Sequence, residues 1–187
     1  MKVVLIFGPQ AVGKMTIGEK VGASLSIPLF HNHVTLDAIW PFIGWNDDTF
    51  KLSHQLRMGI FEHIAKSENH PGIIFTFVWA FNLKSDWESI EEVKRVFEAS
   101  RHELYFVELY APLETRIERN KSPYRLEKKP SKRDIEYSHN ELVSSLEKHR
   151  LNSYDGEIKE KNYIKLDVTD ISAMDAGEQI VNWINSN

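Results

Sequence analysis

The stretch GPQAVGKMT, residues 8–16, directly follows the apolar run VVLIF at residues 3–7. That run predicts a buried strand, and a helix is predicted to begin near Lys14. The loop between them contains two glycines and few bulky side chains. Such a loop either supplies the dihedral angles of a tight turn or brings its backbone into contact with a ligand.

The glycines and the lysine have the spacing of a phosphate-binding loop, Gly8-x-x-x-x-Gly13-Lys14. Glycines let backbone N–H groups approach phosphate oxygens, while the helix N-terminus and the lysine add positive charge. Thr16, after Met15, is the predicted Mg²⁺ ligand. The predicted nucleotide-binding residues in this stretch are Gly8, Ala11, Val12, Gly13, Lys14, Met15 and Thr16. A plain strand, turn and helix is the alternative interpretation.

The composition is that of an ordinary globular protein, with 42% hydrophobic and 27% charged residues in a chain of 187. This length suits one domain spanning residues 1–187. No apolar run reaches the roughly 18–20 residues that cross a bilayer. The chain has no cysteine, which excludes disulfides and thiol catalysis. We therefore expect a cytoplasmic protein.

Short apolar runs recur along the chain, and a segment of helical character follows each one. After residues 3–7 they lie at residues 27–31, 72–78, 104–110 and 163–166. Their hydrophobicity is continuous rather than alternating, which is typical of parallel strands buried on both faces. The pattern predicts an α/β fold. Predicted helix starts include Asp47, a capping box at residues 85–88, and Ser172 with Asp175.

Basic residues are concentrated in residues 119–133. Arg119, Lys121, Arg125, Lys128, Lys129, Lys132 and Arg133 lie there against Glu127 alone, so the segment carries +6 and the rest of the chain -10, which gives the net charge of -4. This asymmetry predicts contact with an anion, although a solvated basic loop is also open. Pro123 and Pro130 prevent one uninterrupted helix. The acidic remainder argues against a nucleic-acid partner.

The variant Gly13-Lys14-Met15-Thr16 resembles the Gly-Lys-Gly-Thr form of small P-loop kinases of the adenylate kinase and shikimate kinase group. The resemblance implies a three-layer fold with a five-stranded parallel sheet, a basic lid at about residues 119–135, and MgATP as phosphoryl donor to a small molecule. It also implies that Arg119 lies beside the adenine ring or the phosphates, and that Arg125 closes onto the transferring phosphate. Monomer and homodimer both stay open.

The end of the second predicted strand, FHNHVTLDAIW at residues 30–40, departs from that resemblance. Shikimate kinases have Asp-x-Asp there, whereas this chain has His31 and His33, with Asp37 a turn further on. Two histidines at i and i+2 of a strand share a face. His33 or Asp37 is the predicted acceptor-binding residue or general base; a zinc site and ordinary hydrogen-bonded histidines are the alternatives.

The third predicted strand also ends without a carboxylate before Asp86. The leading hypothesis is an ATP-dependent phosphotransferase acting on a hydroxyl of a small molecule. The missing carboxylates leave a nucleotide-binding switch, or a slow ATPase, as the alternative. Trp40, Trp45, Trp79 and Trp87 follow the second and third strands, where they either line an acceptor pocket or pack in the core. Residues 166–170 resemble the base-contacting loop of such kinases.

Overall fold

The computed structural model describes residues 1–128 and 133–187, apart from the side chains of Tyr124, Arg125 and Lys128. The strands are β1 (Lys2–Phe7), β2 (Leu29–His31), β3 (Gly72–Phe77), β4 (Glu103–Tyr110) and β5 (Tyr163–Asp167). The helices are α1 (Lys14–Leu25), α2 (His33–Ile43), α3 (Asp47–Lys66), α4 (Lys84–Glu98), α5 (Leu113–Asn120), α6 (Pro123–Lys128), α7 (Ile135–Lys148) and α8 (Ala173–Asn185).

The five strands form one parallel sheet in the order β2-β3-β1-β4-β5. Side chains alternate across β1: Val3, Leu5 and Phe7 pack in one core cluster with α3 and α4, and Val4 and Ile6 pack in another with α1 and α8. Both sheet faces are therefore covered, which explains the continuous hydrophobicity of the strands. The predicted α/β fold with a five-stranded parallel sheet between helical layers is confirmed.

Two of the three predicted helix starts are confirmed, and the third is wrong. The Ser172 side chain accepts the N–H of Asp175 before α8, and α3 begins at Asp47 after Asn46. The capping box at residues 85–88 does not form, because α4 already begins at Lys84. The carboxylate of Asp86 instead accepts the N–H of Ala80 at 2.8 Å, which fixes the loop after β3.

The basic segment is interrupted where its first proline stands. Helix α5 ends at Asn120, and α6 begins at Pro123, a position where the missing N–H of proline leaves no donor unpaired. Pro130 lies outside the described residues. Among the helices of the described ranges, none has the length and apolar character needed to span a bilayer.

A buried carboxylate attaches the segment after α7 to the sheet. Glu108 of β4 is fully buried. Its oxygens accept hydrogen bonds from the side chain of Asn152, from the N–H and hydroxyl of Ser153, and from the hydroxyl of Tyr163, at 2.6 to 2.9 Å. Burial raises the pKa of Glu108, but these donors lower it more, and the net pKa lies below its ordinary value of 4.5.

Glu108→Gln is expected to lower the free energy of unfolding at neutral pH by about 1–3 kcal/mol, because an amide cannot accept from all these donors. The folded-state pKa of Glu108 is depressed, so the stabilisation is present above the unfolded-state pKa and is lost as pH falls through the folded-state pKa. Urea unfolding of both proteins at pH 7 and at about pH 3 should show the difference shrinking in acid. A difference that stays constant with pH would contradict this account.

Candidate functional site

The loop from Gly8 to Gly13 joins β1 to α1 and turns through left-handed backbone conformations. Ala11 has a φ of 61° and Gly13, the N-cap residue of α1, has a φ of 115°. Left-handed residues that alternate with others can turn N–H groups toward one concave side, which is how anion-binding nests form. The N-terminus of α1 adds its positive dipole to the same place. The loop thus has the backbone geometry of a phosphate site.

Gly8 has a different role from Gly13. Its φ is 139°, and a Cβ built on it would lie 2.4 Å from the carbonyl oxygen of Leu109 in β4. It does not line either of the two cavities that flank the loop. Gly8 therefore lets β1 exit closely past β4, while Gly13 shapes the phosphate nest. The tight-turn interpretation therefore holds at Gly8, and contact with a ligand stays a prediction for the rest of the loop.

Gly8→Ala is expected to lower the free energy of unfolding by about 2–3 kcal/mol, because it adds both a strained φ and a backbone clash. Gly59, inside α3 with no atom within 4 Å of a built Cβ, is the matched control. Gly59→Ala should raise stability by about 0.5–1 kcal/mol through helix propensity. Urea unfolding measures both changes. Equal stabilities for the two variants would show that the approach to Leu109 does not constrain residue 8.

The ammonium of Lys14 lies over the loop. Its Nζ donates hydrogen bonds to the carbonyl oxygens of Gly8 and Pro9, both at 2.7 Å. Lys14 lines both flanking cavities, together with Ala11 and Met15. A positive charge therefore lies where the two cavities meet.

The first cavity has a volume of about 230 Å³ and follows the N-terminus of α1. It is lined by Ala11, Val12, Gly13, Lys14, Met15, Thr16, Ile17, Arg119, Ser122, Val168, Ile171 and Ala173. All the predicted nucleotide-binding residues except Gly8 are in this set. Its polar part is the predicted phosphate-binding loop, and its apolar part includes Val168, from the predicted base-contacting loop. We call it the nucleotide cavity.

Arg119 connects the two walls of the nucleotide cavity. Its guanidinium donates to the carbonyl oxygen of Val12 at 3.0 Å, and to those of Val168 and Thr169 at 2.6 and 3.2 Å. Arg119, the residue predicted to lie beside the adenine ring or the phosphates, thus lines this cavity and joins its two walls. Arg116 is buried behind the loop, where Nη1 donates to the Gln10 carbonyl at 3.4 Å and burial lowers its pKa.

Arg125 was predicted to close onto the transferring phosphate. Its backbone is in α6, but its side chain lies outside the described residues. The predicted lid of about 119–135 is thus described over α5, α6 and the start of α7, without residues 129–132.

The second cavity has a volume of about 360 Å³ and lies on the other side of Lys14. It is lined by Gln10, Ala11, Lys14, Met15, His31, Asn32, His33, Leu36, Trp45, Phe50, Thr76, Phe77, Val78, Tyr137 and Glu141. These residues come from the β1–α1 loop, the starts of α1, α2 and α3, the ends of β2 and β3, the α2–α3 connection and α7. The cavity lies beyond the carboxyl ends of these strands, where ligands of parallel α/β sheets usually bind. We call it the acceptor cavity.

His31 and His33 both line the acceptor cavity, but not for the reason that the sequence suggested. The argument that they share a strand face is wrong: β2 ends at His31 and α2 begins at His33. Asp37 is not among the lining residues. It lies one helical turn beyond His33, with its Oδ1 3.8 Å from His33 Nδ1.

The Asp37 carboxylate is held in its ionised form. Burial raises its pKa, but contacts with His33 and Trp40 lower it more, so the net pKa falls below the ordinary value. This places a negative charge behind His33 at neutral pH. Within the described ranges no three His, Asp or Glu side chains gather as a metal site, so the zinc alternative has no support there.

The four tryptophans divide into two pairs. Trp79 and Trp87 pack in the core cluster beside Phe81, as the packing alternative predicts. Trp40 and Trp45 stack with ring centroids 5.5 Å apart, and Trp45 lines the acceptor cavity.

Several cavity residues had no signal in the sequence. Tyr137 and Glu141 are four residues apart on α7, and only the tertiary fold brings that helix face to the cavity. Asn32 stands between the two histidines and accepts a hydrogen bond from Arg57. Arg57 is itself packed over the ring of Phe75 in a neighbouring cavity, and burial lowers its pKa to about 10.

No family model matches the sequence, and no curated protein matches it either. Solved structures do match over nearly the whole chain. A gluconokinase from Sinorhizobium meliloti 1021 is 15% identical, with 99% of this chain and 91% of that chain covered and a TM-score of 0.60. The shikimate kinase from Acinetobacter baumannii, in complex with shikimate, is 15% identical, with 99% and 93% covered and a TM-score of 0.56.

The APS kinase of Mycobacterium tuberculosis, in complex with AMPPNP and APS, is 11% identical, with 98% of this chain and 97% of that chain covered and a TM-score of 0.60. The shared architecture is that of small P-loop kinases. The predicted resemblance is thereby confirmed at the level of the fold.

Proposed function

We propose that the protein is an ATP-dependent phosphotransferase acting on a hydroxyl group of a small molecule. The observation that carries the proposal is the pair of cavities that meet at Lys14. A donor in one cavity and an acceptor in the other would bring their reacting atoms together beside a fixed positive charge. The gluconokinase, shikimate kinase and APS kinase that share the fold are consistent with this chemistry.

In the proposed reaction the acceptor oxygen attacks the γ-phosphorus of ATP. The new P–O bond forms as the bond to the β–γ bridging oxygen breaks, and ADP leaves. The backbone nest of residues 8–13 and the ammonium of Lys14 hold the phosphates and offset their charge. Such positioning and charge stabilisation account for most of the catalysis of phosphoryl transfer.

The residues present fit a magnesium ion that arrives with the nucleotide. Thr16 lines the nucleotide cavity and is two residues beyond Lys14, and phosphate oxygens and water complete the ligands that Mg²⁺ prefers. When bound, the ion offsets negative charge on the β- and γ-phosphates. The described residues need not supply an acidic cluster for this arrangement.

On the acceptor side we assign His33 as the general base and Asp37 as its positioning residue. His33 lines the acceptor cavity, whereas Asp37 contacts the imidazole from outside it. His33 takes the hydroxyl proton as the P–O bond forms, and the ionised Asp37 stabilises the resulting imidazolium.

The basic segment at about 119–135, including Arg125, is proposed to close over the phosphates. The proposal treats residues 1–187 as one domain working in the cytoplasm, as a monomer or homodimer.

A coupled assay of ADP release tests the function. The screen runs gluconate, shikimate, adenosine phosphosulfate, nucleosides, nucleotides, and aminoglycoside and phenicol antibiotics with MgATP. ADP release that depends on one acceptor class, with one phosphorylated product per ADP, supports the proposal. Tight ATP binding with no acceptor-dependent turnover, and an association state that changes with ATP, would favour the nucleotide switch instead.

A further inference from the structure

The acceptor cavity has an aromatic wall that the fold does not need for its core. Trp45 and Phe50 line it with ring centroids 6.2 Å apart, although 50% of Trp45 and 56% of Phe50 is exposed. Trp40 stacks on Trp45 from outside the cavity, with the two rings 10° from parallel. Exposed aromatic side chains that line a concave site are typical of ligand contact.

The inner lining continues this apolar character. Met15, Leu36, Phe77 and Val78 join the two aromatic residues. At about 360 Å³ the cavity falls within the size range of small-molecule sites. A flat, apolar part of an acceptor would bury its faces against these residues and gain from stacking.

Besides the imidazoles of His31 and His33, the described lining offers an anionic acceptor a single cationic side chain. Among the described lining residues Lys14 is the one lysine or arginine, and it already lies against the phosphate loop. Glu141 of α7 is the carboxylate among the described lining residues. Arg57 does not line the cavity. Its Nη2 donates a hydrogen bond to Oδ1 of Asn32, and Asn32 is a lining residue.

The remaining polar groups suit neutral hydroxyl compounds. Gln10, Asn32, Thr76 and Tyr137 offer uncharged donors and acceptors, and His33 lies among them. We propose that the acceptor is a hydroxyl compound with a flat, apolar ring and no anionic group, such as a nucleoside or an aryl alcohol. The inference rests on the proposed function and specifies its substrate class. It separates this site from polyol acids such as gluconate and shikimate.

Calorimetric titration with matched ligand pairs tests the inference in the presence of AMPPNP, so that binding is measured without turnover. The pairs are thymidine with thymidine 5′-monophosphate, and 3-phenylpropane-1,2-diol with 3-phenyllactate; gluconate and shikimate are run alongside. We expect at least one neutral member to bind about tenfold more tightly than its anionic partner. Tighter binding of the anionic members or of the polyol acids overturns the inference, as does an absence of binding by both neutral members.

Substitutions test whether the neutral ring compound binds against Trp45 in the acceptor cavity. Trp45→Ala should weaken binding of the neutral ring compound about tenfold, through lost stacking and burial. Phe42→Ala is the control, because Phe42 lies on α2, is 85% exposed and does not line the cavity, and it should leave the affinity unchanged. Equal losses in both variants, or none in Trp45→Ala, would overturn the assignment.

The failure of this inference differs from the failure of the proposed function. Neutral ring compounds that bind through Trp45 but release no ADP would keep the ligand class and refute the kinase. Acceptor-dependent ADP release with gluconate or shikimate alone would keep the kinase and refute the ligand class.

Discussion

Lys14→Ala is expected to lower the rate of phosphoryl transfer by at least about a hundredfold and to weaken ATP binding, while the fold stays intact. Lys14 is the described cationic side chain that lines both cavities. Its removal takes a positive charge away from the place where the donor and acceptor would meet. The substitution removes hydrogen bonds to two loop carbonyl oxygens, those of Gly8 and Pro9, and no apolar side chain of the core, so the strands and helices should keep their packing.

The measurements are calorimetric titration with ATP, the rate of ADP release, and thermal unfolding. Lys84→Ala is the matched control, because it removes the same charge from a side chain that is 90% exposed and lines neither cavity. It should leave all three quantities unchanged. Equal ATP affinity in Lys14→Ala and in the unmodified protein would mean that the loop is architectural, and the proposed nucleotide site would be refuted.

The elements that the sequence predicted well depend on local pattern. The central strands β1 and β3 are apolar runs buried on both faces. Residues 3–7 show this most clearly, because their side chains alternate between two core clusters. The left-handed turn of the loop at residues 8–13 depends on glycine spacing, which is visible in the chain. Helix α8 begins where Ser172 caps it, again through contacts between near neighbours.

What the sequence did not predict depends on contacts between distant residues. Gly8 is constrained by the carbonyl of Leu109, about a hundred residues away in the chain, so its packing role has no local signal. Tyr137 and Glu141 enter the acceptor cavity only because α7 crosses over it. The capping box at residues 85–88 fails because α4 already begins at Lys84, and Asp86 inside its first turn binds the N–H of Ala80 six residues back.

The histidine pair shows a prediction whose reasoning was wrong but whose residues do come together. Had β2 continued past His31, His31 and His33 would share a strand face. The strand is only three residues long, and α2 starts at His33, so the two side chains reach one cavity from two different elements. This arrangement also puts Asp37 one helical turn from His33, a spacing that a strand would not give.

His33→Gln is expected to lower kcat by about a hundredfold or more and to leave ATP affinity unchanged. Glutamine keeps a polar side chain of similar reach but cannot take the proton of the acceptor hydroxyl. His63→Gln is the control, because His63 is exposed in the last turn of α3 and lines neither the nucleotide nor the acceptor cavity. A kcat equal to that of the unmodified protein would remove His33 from the chemistry.

Asp37→Asn separates the positioning role from the catalytic one. It should lower kcat about tenfold, less than His33→Gln, because the imidazole remains but loses the carboxylate 3.8 Å away. ATP affinity and the free energy of unfolding should stay unchanged, so that the loss appears in kcat. A structural role for Asp37 would instead lower the free energy of unfolding. If the double variant His33→Gln, Asp37→Asn is no slower than His33→Gln alone, the two residues act through one another, as the geometry of α2 requires.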